Sequence, residues 1–176
     1  MKIGKTKLIL STAIGMCITG LVIYNVYPEP KLPANLGVDS LVVYKSKKQL
    51  MAYAGGQLLK TYQISLGGAP QGHKAYEGDQ KTPEGRYTIN AKNANSGYHK
   101  NLGVSYPNEQ DIANAKTLGK SPGGDIKIHG LRNGVGAIHK LQRLYNWTNG
   151  CMALTNPEID ELYASVKLGT PINIKP

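Results

Sequence analysis

Two side chains in the C-terminal part of this chain have the chemistry of a nucleophile and its base. Cys151 is the only cysteine outside an apolar N-terminal segment, and His129 follows the short strand-like run 125–128. A thiolate can attack a carbonyl, while a nearby imidazole lowers the pKa of the thiol and returns the proton to a leaving amine. The pair predicts acyl transfer or hydrolysis, with Cys151 as nucleophile and His129 as base.

Cys151 also has a structural interpretation, because unpaired cysteines are often small buried apolar residues. In an exported protein, however, a lone thiol has no partner within its own domain, which favours a functional role. Gly150 permits a tight turn, so we expect the backbone amides of Gly150 and Cys151 to be the oxyanion donors. His139, in the intervening loop, is the second candidate base.

Two strings surround these residues, Ile128-His129-Gly130 and Trp147-Thr148-Asn149-Gly150-Cys151-Met152-Ala153. Together they resemble the active-site signature of the YkuD-type L,D-transpeptidases. Segments 72–79 and 82–85 are similar to the G-x-K-x-x-E-G-D and T-P-E-G motifs of the murein transpeptidase branch, and 169–174 is similar to its closing strand. Many members carry a second histidine where this chain has Asn149, an amide that cannot act as a base.

This resemblance implies a mainly β fold with short helices (α+β), specifically an L,D-transpeptidase-like β-sandwich. It implies a peptidoglycan L,D-transpeptidase that forms a thioester with a stem tetrapeptide in cell wall cross-linking or remodelling. The residues then expected in the substrate groove are His73, Gly130, Thr148, Asn149 and His139. His73 has a second interpretation, as a loop residue that only satisfies local hydrogen bonds.

Other functions stay open at this stage. An enzyme of the same fold could be a hydrolase, either an L,D-carboxypeptidase or an amidase that detaches a lipoprotein from the wall. A module that binds the wall without catalysis is a further alternative. The expected partners are peptidoglycan stem peptides and a wall-attached lipoprotein. No cofactor is expected, and no metal, because the histidines and cysteines do not fall at zinc-ligand spacings.

Composition argues for one exported β domain and against a nucleic-acid-binding protein. The chain contains 11 tyrosines, 21 glycines and no phenylalanine, a balance typical of loop-rich β domains. Its formal charge of +10 comes from scattered lysines and arginines. Aromatic and basic residues do not alternate as they do along a nucleic-acid backbone.

The N-terminal residues predict export of the domain to the cell envelope. Residues 1–7 form a basic start, and 8–27 an uncharged apolar stretch that could be an uncleaved signal anchor or a cleaved signal peptide. The proline-containing segment 28–38 reads as a stiff linker, followed by a catalytic domain at 39–176. We therefore expect a periplasmic or extracytoplasmic domain held at the inner membrane by its N-terminal segment.

Local patterns predict the secondary structure of the domain. Strands are expected at 41–44, 49–53, 58–65, 86–91 and 125–128, with Gly55-Gly56 as a hairpin turn. Helices are expected at 111–118 and 157–167, the second capped by Asn156 and ended by Gly169.

Overall fold

One mixed β-sheet dominates the structure. The computed structural model describes residues 3–33 and 36–176. Its strands are β1 (Ser40–Tyr44), β2 (Gln49–Ala54), β3 (Gln57–Gln63), β4 (Gly85–Ser96), β5 (His99–Val104), β6 (Lys127–His129), β7 (Met152–Ala153) and β8 (Pro171–Lys175). Its helices are α1 (Ile3–Val26), α2 (Glu109–Thr117) and α3 (Asn156–Ser165), with a 3₁₀ segment at Gly136–Leu144.

The eight strands form a single sheet in the order β3-β2-β1-β8-β4-β5-β6-β7. β1 pairs with β8, and β6 with β7, in parallel, whereas the other neighbours are antiparallel. The long strand β4 pairs with β8 through its first residues and with β5 through its later ones, with two register shifts. The α+β prediction is confirmed, but one continuous curled sheet replaces the two separate sheets of a sandwich.

The two edges of this sheet are joined by the segment that follows β3. Ser65 and Ala153 exchange two backbone hydrogen bonds, with N to O distances of 3.0 and 2.8 Å. Gly67 forms a parallel bridge with Thr148. Because β3 and β7 are the outermost strands, these bonds close the curl and hold Thr148, in the segment before β7, against the segment that follows β3.

The apolar core lies inside the curl and is built by alternation along the strands. In β1 the side chains of Leu41 and Val43 are buried, and in β8 those of Ile172 and Ile174 are buried. The turn between β2 and β3 is formed by Gly55 and Gly56, both at positive φ, as the hairpin prediction requires. Burial of this apolar surface packs the inner face of the sheet tightly, and this makes the strands that carry the site residues rigid.

Two helices lie close to their predicted positions, but both ends of α3 differ from the prediction. The helix ends at Ser165 with Val166 as its C-cap, so the expected end at Gly169 is wrong. Its N-cap is Thr155, whose side chain forms a capping box with Glu158. Asn156, the expected cap, instead accepts a hydrogen bond from the amide of Leu131 through Oδ1 at 2.8 Å. The side chain of Asn156 therefore ties α3 to the loop that follows His129.

The N-terminal stretch forms the single helix α1. Residues 1 and 2 of the expected basic start, and residues 34 and 35 of the expected linker, lie outside the described residues. Within the described part of the chain, no helix is both long enough and apolar enough to cross a membrane.

The C-terminal end of α1 and the residues after it contact the 3₁₀ segment. The carboxylate of Glu29 lies 3.1 Å from Nζ of Lys140 and 2.9 Å from Nη1 of Arg143. Arg143 also pairs through Nη2 with Glu158 of α3, at 2.7 Å. Since the 3₁₀ segment lies between His129 and Cys151 in the chain, these ion pairs fix the loop that separates the two candidate catalytic residues.

Candidate active site

Pairing of β6 with β7 creates the cleft that holds His129 and Cys151. The strands run parallel, with Ile128 opposite Met152 and His129 opposite Ala153. Cys151 directly precedes β7, so the register brings it beside the start of β6. The side chains of Cys151 and His129 line one cleft of about 350 Å³. The residues expected to act as nucleophile and base therefore lie in the same cleft.

The turn before Cys151 is held by a glycine and a threonine. Gly150 has φ of +126°, and a Cβ there would lie 2.6 Å from the carbonyl oxygen of Lys81. The hydroxyl of Thr148 accepts a hydrogen bond from the amide of Gly150 at 3.2 Å and donates one to the carbonyl of Cys151 at 2.7 Å. Thr148 lines the cleft, but its hydroxyl is committed to holding this turn.

Gly150→Ala is expected to displace Cys151, because alanine must adopt a strained φ and also collide with the backbone at Lys81. We expect a loss of about 1–3 kcal/mol in the free energy of unfolding. Activity should fall by at least about tenfold, since a displaced nucleophile loses its reacting geometry. Denaturant unfolding and turnover assays measure the two effects. Gly134→Ala is the control, because Gly134 also has positive φ but has open space at its Cβ; equal activity in the two variants would contradict the argument.

A segment far from Cys151 in sequence supplies the backbone against which Gly150 packs. The ammonium of Lys74 lies 2.8 Å from the carboxylate of Asp79, and both side chains are buried. Asp79 also accepts hydrogen bonds from the amides of Ala75 and Lys81 at 2.7 and 3.0 Å. The G-x-K-x-x-E-G-D segment thus fixes the Lys81 carbonyl that contacts the Gly150 turn.

His129 is oriented by the backbone of the next residue. Its side chain is 6% exposed, and Nδ1 lies 2.7 Å from the carbonyl oxygen of Gly130. A carbonyl oxygen only accepts, so this contact assigns the proton to Nδ1 and leaves the lone pair on Nε2. A Cβ at Gly130 would lie 2.8 Å from Oδ1 of Asn156 and 3.0 Å from Cβ of His99, so only glycine fits. Gly130 therefore orients the base and is not part of the cleft lining.

Two aromatic rings enclose the imidazole. The ring centroids of Tyr98 and Trp147 lie 4.8 and 5.7 Å from that of His129, and the two aromatic rings stack at 6.2 Å. The indole of Trp147 donates a hydrogen bond to Oε1 of the buried Gln142 at 2.9 Å. Gln142 in turn donates to the carbonyl of Ala153 at 3.3 Å. Trp147 is thereby tied to the strand that follows the nucleophile.

The environment favours a neutral thiol and a neutral imidazole. Burial lowers the pKa of His129 from its ordinary 6.5, against the raising effect of the Gly130 bond, and the charge of Lys127 lowers it further. Burial also raises the pKa of Cys151 above 9.0. The sequence-based expectation of a lowered thiol pKa is therefore wrong, because burial outweighs the Lys127 amide and charge, which act in the opposite direction. The thiol donates a weak hydrogen bond to the carbonyl of Asp125 at 3.6 Å.

Alkylation of Cys151 should therefore follow the formation of thiolate at alkaline pH. In a Cys17→Ala background, the iodoacetamide rate is expected to rise with a midpoint above 9.0. Asp125→Asn should lower that midpoint, because the Asp125 charge raises the thiol pKa. Asparagine also tolerates the positive φ at this position. Mass spectrometry of the labelled peptide gives the rates, and a midpoint near neutrality would reveal a thiolate–imidazolium pair instead.

The backbone amides predicted as oxyanion donors are not equivalent. The Gly150 amide is already bonded to the Thr148 hydroxyl. The Cys151 amide has no hydrogen-bond acceptor within residues 3–33 and 36–176. The prediction that Gly150 donates to the oxyanion is therefore corrected, because its amide helps to form the turn. The amide of Cys151 remains the candidate oxyanion donor.

Neither His73 nor His139 lines the cleft. Nδ1 of His73 accepts from the amide of Glu84 at 2.9 Å, and its Nε2 lies 2.9 Å from Asp111 Oδ1. His139 lies in the 3₁₀ segment with Nδ1 3.0 Å from the carbonyl of Asn25. Both were expected in the substrate groove, and both instead satisfy local structural contacts. His139 is therefore not placed to serve as the reserve base.

The cleft also contains residues that the sequence patterns did not single out. Its polar lining includes Asn101, Asp125 and Lys127 as well as the exposed amide Asn149, which was expected there. Tyr98 belongs to a turn whose sequence carries no signal for a site. Among the described residues, no group of three or more His, Cys, Asp or Glu side chains is arranged to hold a metal ion.

Comparisons with known proteins identify the family of the domain that carries this cleft. The model of the YkuD L,D-transpeptidase catalytic domain matches residues 39–174. YafK of Escherichia coli K12, a candidate L,D-transpeptidase, is 31% identical over 112 residues, which are 62% of this chain and 38% of YafK.

Solved structures give the same result for the fold. The helical cell shape determining protein Pgp2 from Campylobacter jejuni has a TM-score of 0.57 at 25% identity, over 83% of this chain and 51% of Pgp2. An L,D-transpeptidase from Mycobacterium smegmatis has a TM-score of 0.51 at 18% identity, over 80% of this chain and 60% of its own. This chain thus corresponds to less than two thirds of each of these proteins. Over residues 39–174, it belongs to the YkuD family of L,D-transpeptidase catalytic domains.

Proposed function

We propose that this chain is a cysteine-dependent peptidoglycan L,D-transpeptidase. Its donor would be a stem tetrapeptide, cleaved between the L-centre of the diamino acid and the terminal D-alanine. One observation supports this most strongly: the β6–β7 register puts Cys151 and His129 in one cleft. The Gly130 carbonyl, bonded to Nδ1, leaves Nε2 free to take a proton.

Acylation begins from the neutral pair. Nε2 of His129 takes the thiol proton as the sulfur of Cys151 attacks the scissile carbonyl. The Cys151 amide would donate to the oxyanion that develops. The carbon–nitrogen bond then breaks, and the proton on Nε2 passes to the amine of the departing D-alanine. The acyl group remains on Cys151 as a thioester.

Deacylation decides whether the enzyme is a transferase or a hydrolase. An amine of a second stem peptide, or of a wall-attached lipoprotein, attacks the thioester and gives its proton to Nε2. Cys151 leaves as a thiolate and recovers this proton. Water in place of the amine would give hydrolysis by the same steps. Pgp2 is described as a helical cell shape determining protein, and we propose that the present chain likewise acts in the cell envelope on wall structure.

Product analysis tests this function. The full chain is incubated with purified muropeptides and with sacculi that carry attached lipoprotein, beside Cys151→Ala. Dimers linked between diamino acids, made only by the unsubstituted enzyme, are the expected result. Tripeptides without dimers would instead identify an L,D-carboxypeptidase, and released lipoprotein an amidase. Products identical in both samples would contradict catalysis and favour a wall-binding module.

A further inference from the structure

Lys127 lies beside the nucleophile and on the same strand as the base. It is the first residue of β6, and alternation along a strand puts it on the same side as His129. In the β6–β7 register, Cys151 lies next to Lys127. All three side chains line the cleft. A cation is therefore built into the wall of the cleft at the point where the donor peptide must be attacked.

The charge of Lys127 reaches both candidate catalytic residues. Burial is the main reason for the raised pKa of Cys151 and the lowered pKa of His129, and the Lys127 ammonium acts on both values as well. Of the described residues that line this cleft, Lys127 is the only lysine or arginine. It is thus the one permanent positive charge available to a ligand there.

Lys127 pairs with Asp125, and a ligand can replace Asp125 in this ion pair. Its Nζ lies 2.6 Å from Oδ1 of Asp125, a side chain that is 82% exposed, while that of Lys127 is 32% exposed. An exposed ion pair of this kind contributes little stability. An incoming carboxylate can therefore take the place of Asp125 without leaving a buried charge unpaired.

The donor peptide presents a carboxylate near the bond that breaks. Along the departing residue, the scissile nitrogen is followed by Cα and then by the free carboxyl carbon, which lies within about 4 Å of the attacked carbonyl carbon. We propose that Lys127 binds this terminal carboxylate and thereby selects donors whose last residue is a free acid. The assignment rests on the proposed function, because it takes the attacked carbonyl to be the one next to the terminal residue.

Paired donor peptides test the assignment. The full chain and Lys127→Met are assayed for kcat/KM with a stem tetrapeptide and with the same peptide amidated at its C-terminus. A third donor carries a free C-terminus and an amide on the side-chain carboxyl group of its diamino acid. The ratio of free-acid to amidated kcat/KM is the readout, because any effect of Lys127 on the thiol or the imidazole acts equally on both donors and cancels. Lys116→Met is the matched control, since Lys116 is an exposed lysine on α2.

The expected ratio of free-acid to amidated kcat/KM is about 10 to 100 for the unsubstituted chain, which is the contribution of one charge-assisted hydrogen bond. For Lys127→Met the ratio should be near 1. Lys127→Arg should keep most of the preference, and Lys116→Met all of it. An unchanged ratio in Lys127→Met would overturn the assignment while leaving the function intact. Sensitivity to the diamino acid amide alone would also overturn it, by moving the carboxylate to the side chain. If the unsubstituted chain turns over no donor, the proposed function itself fails.

Discussion

Cys151→Ala is expected to abolish acyl transfer, because no other side chain in the described cleft can form the thioester. We expect the rate of D-alanine release to fall by at least about a thousandfold, to the limit of detection. The fold should survive, since the Cys151 side chain is only partly buried and makes only weak sulfur hydrogen bonds, to the Asp125 carbonyl and the Lys127 amide. The free energy of unfolding should therefore change by no more than about 1 kcal/mol.

Two variants serve as controls for this loss. Cys17→Ala removes the other cysteine, which lies exposed on α1, and should leave the rate unchanged. Cys151→Ser keeps the size of the side chain but replaces the thiol with a hydroxyl that ionises far less readily, so it should remain almost inactive. Thermal unfolding establishes that each protein is folded. Full activity in folded Cys151→Ala would rule out the proposed nucleophile.

His129→Gln should lower kcat/KM by at least about a hundredfold, because glutamine cannot take the thiol proton. Glutamine is a neutral polar side chain of similar length, so the change removes the base without adding a charge. The pH profile gives a sharper signature. In the unsubstituted enzyme the pKa of His129 is lowered by burial, so the imidazole becomes protonated, and the rate falls, only below pH 6.5. In the variant, the rate should instead rise with pH as Cys151 ionises above pH 9.0.

The second candidate base provides the control. His139→Asn changes a histidine that contacts Asn25 and not the cleft, and asparagine tolerates the positive φ found there. It should stay within about threefold of the original rate, as expected for a residue outside the reacting geometry. A small loss in His129→Gln with a large loss in His139→Asn would reverse the assignment of the base.

Short-range patterns were enough to predict several parts of this structure. Alternating apolar residues predicted β1 and β2, and Gly55-Gly56 predicted the turn between β2 and β3. His129 was expected at the end of a strand and lies there. Each of these features depends on residues close together in the chain, so their signals are local.

The remaining parts depend on contacts between distant residues. The bonds between Ser65 and Ala153 close the sheet, and no sequence pattern near either residue predicts that they pair. Tyr98 reaches His129 only because β5 pairs with β6. The direction of the Cys151 pKa shift was predicted wrongly, because the burial of the thiol depends on the whole fold.

Thr148 illustrates the difference between finding a site residue and assigning its role. The sequence marked it as part of the signature and suggested substrate binding. In the structure its hydroxyl is occupied by Gly150 and Cys151. A motif gives the position of such a residue, whereas hydrogen-bond partners are needed to separate a structural role from contact with substrate.

Intact-protein mass spectrometry after rapid mixing with a stem tetrapeptide detects catalysis through a Cys151 thioester. The expected adduct equals the donor minus its terminal D-alanine, is located on Cys151 and is removed by hydroxylamine, as a thioester should be. Cys151→Ala should carry no adduct, and His129→Gln should form it slowly. D-Alanine release by a chain that never carries the adduct, or an adduct that persists in Cys151→Ala, would contradict catalysis through a Cys151 thioester.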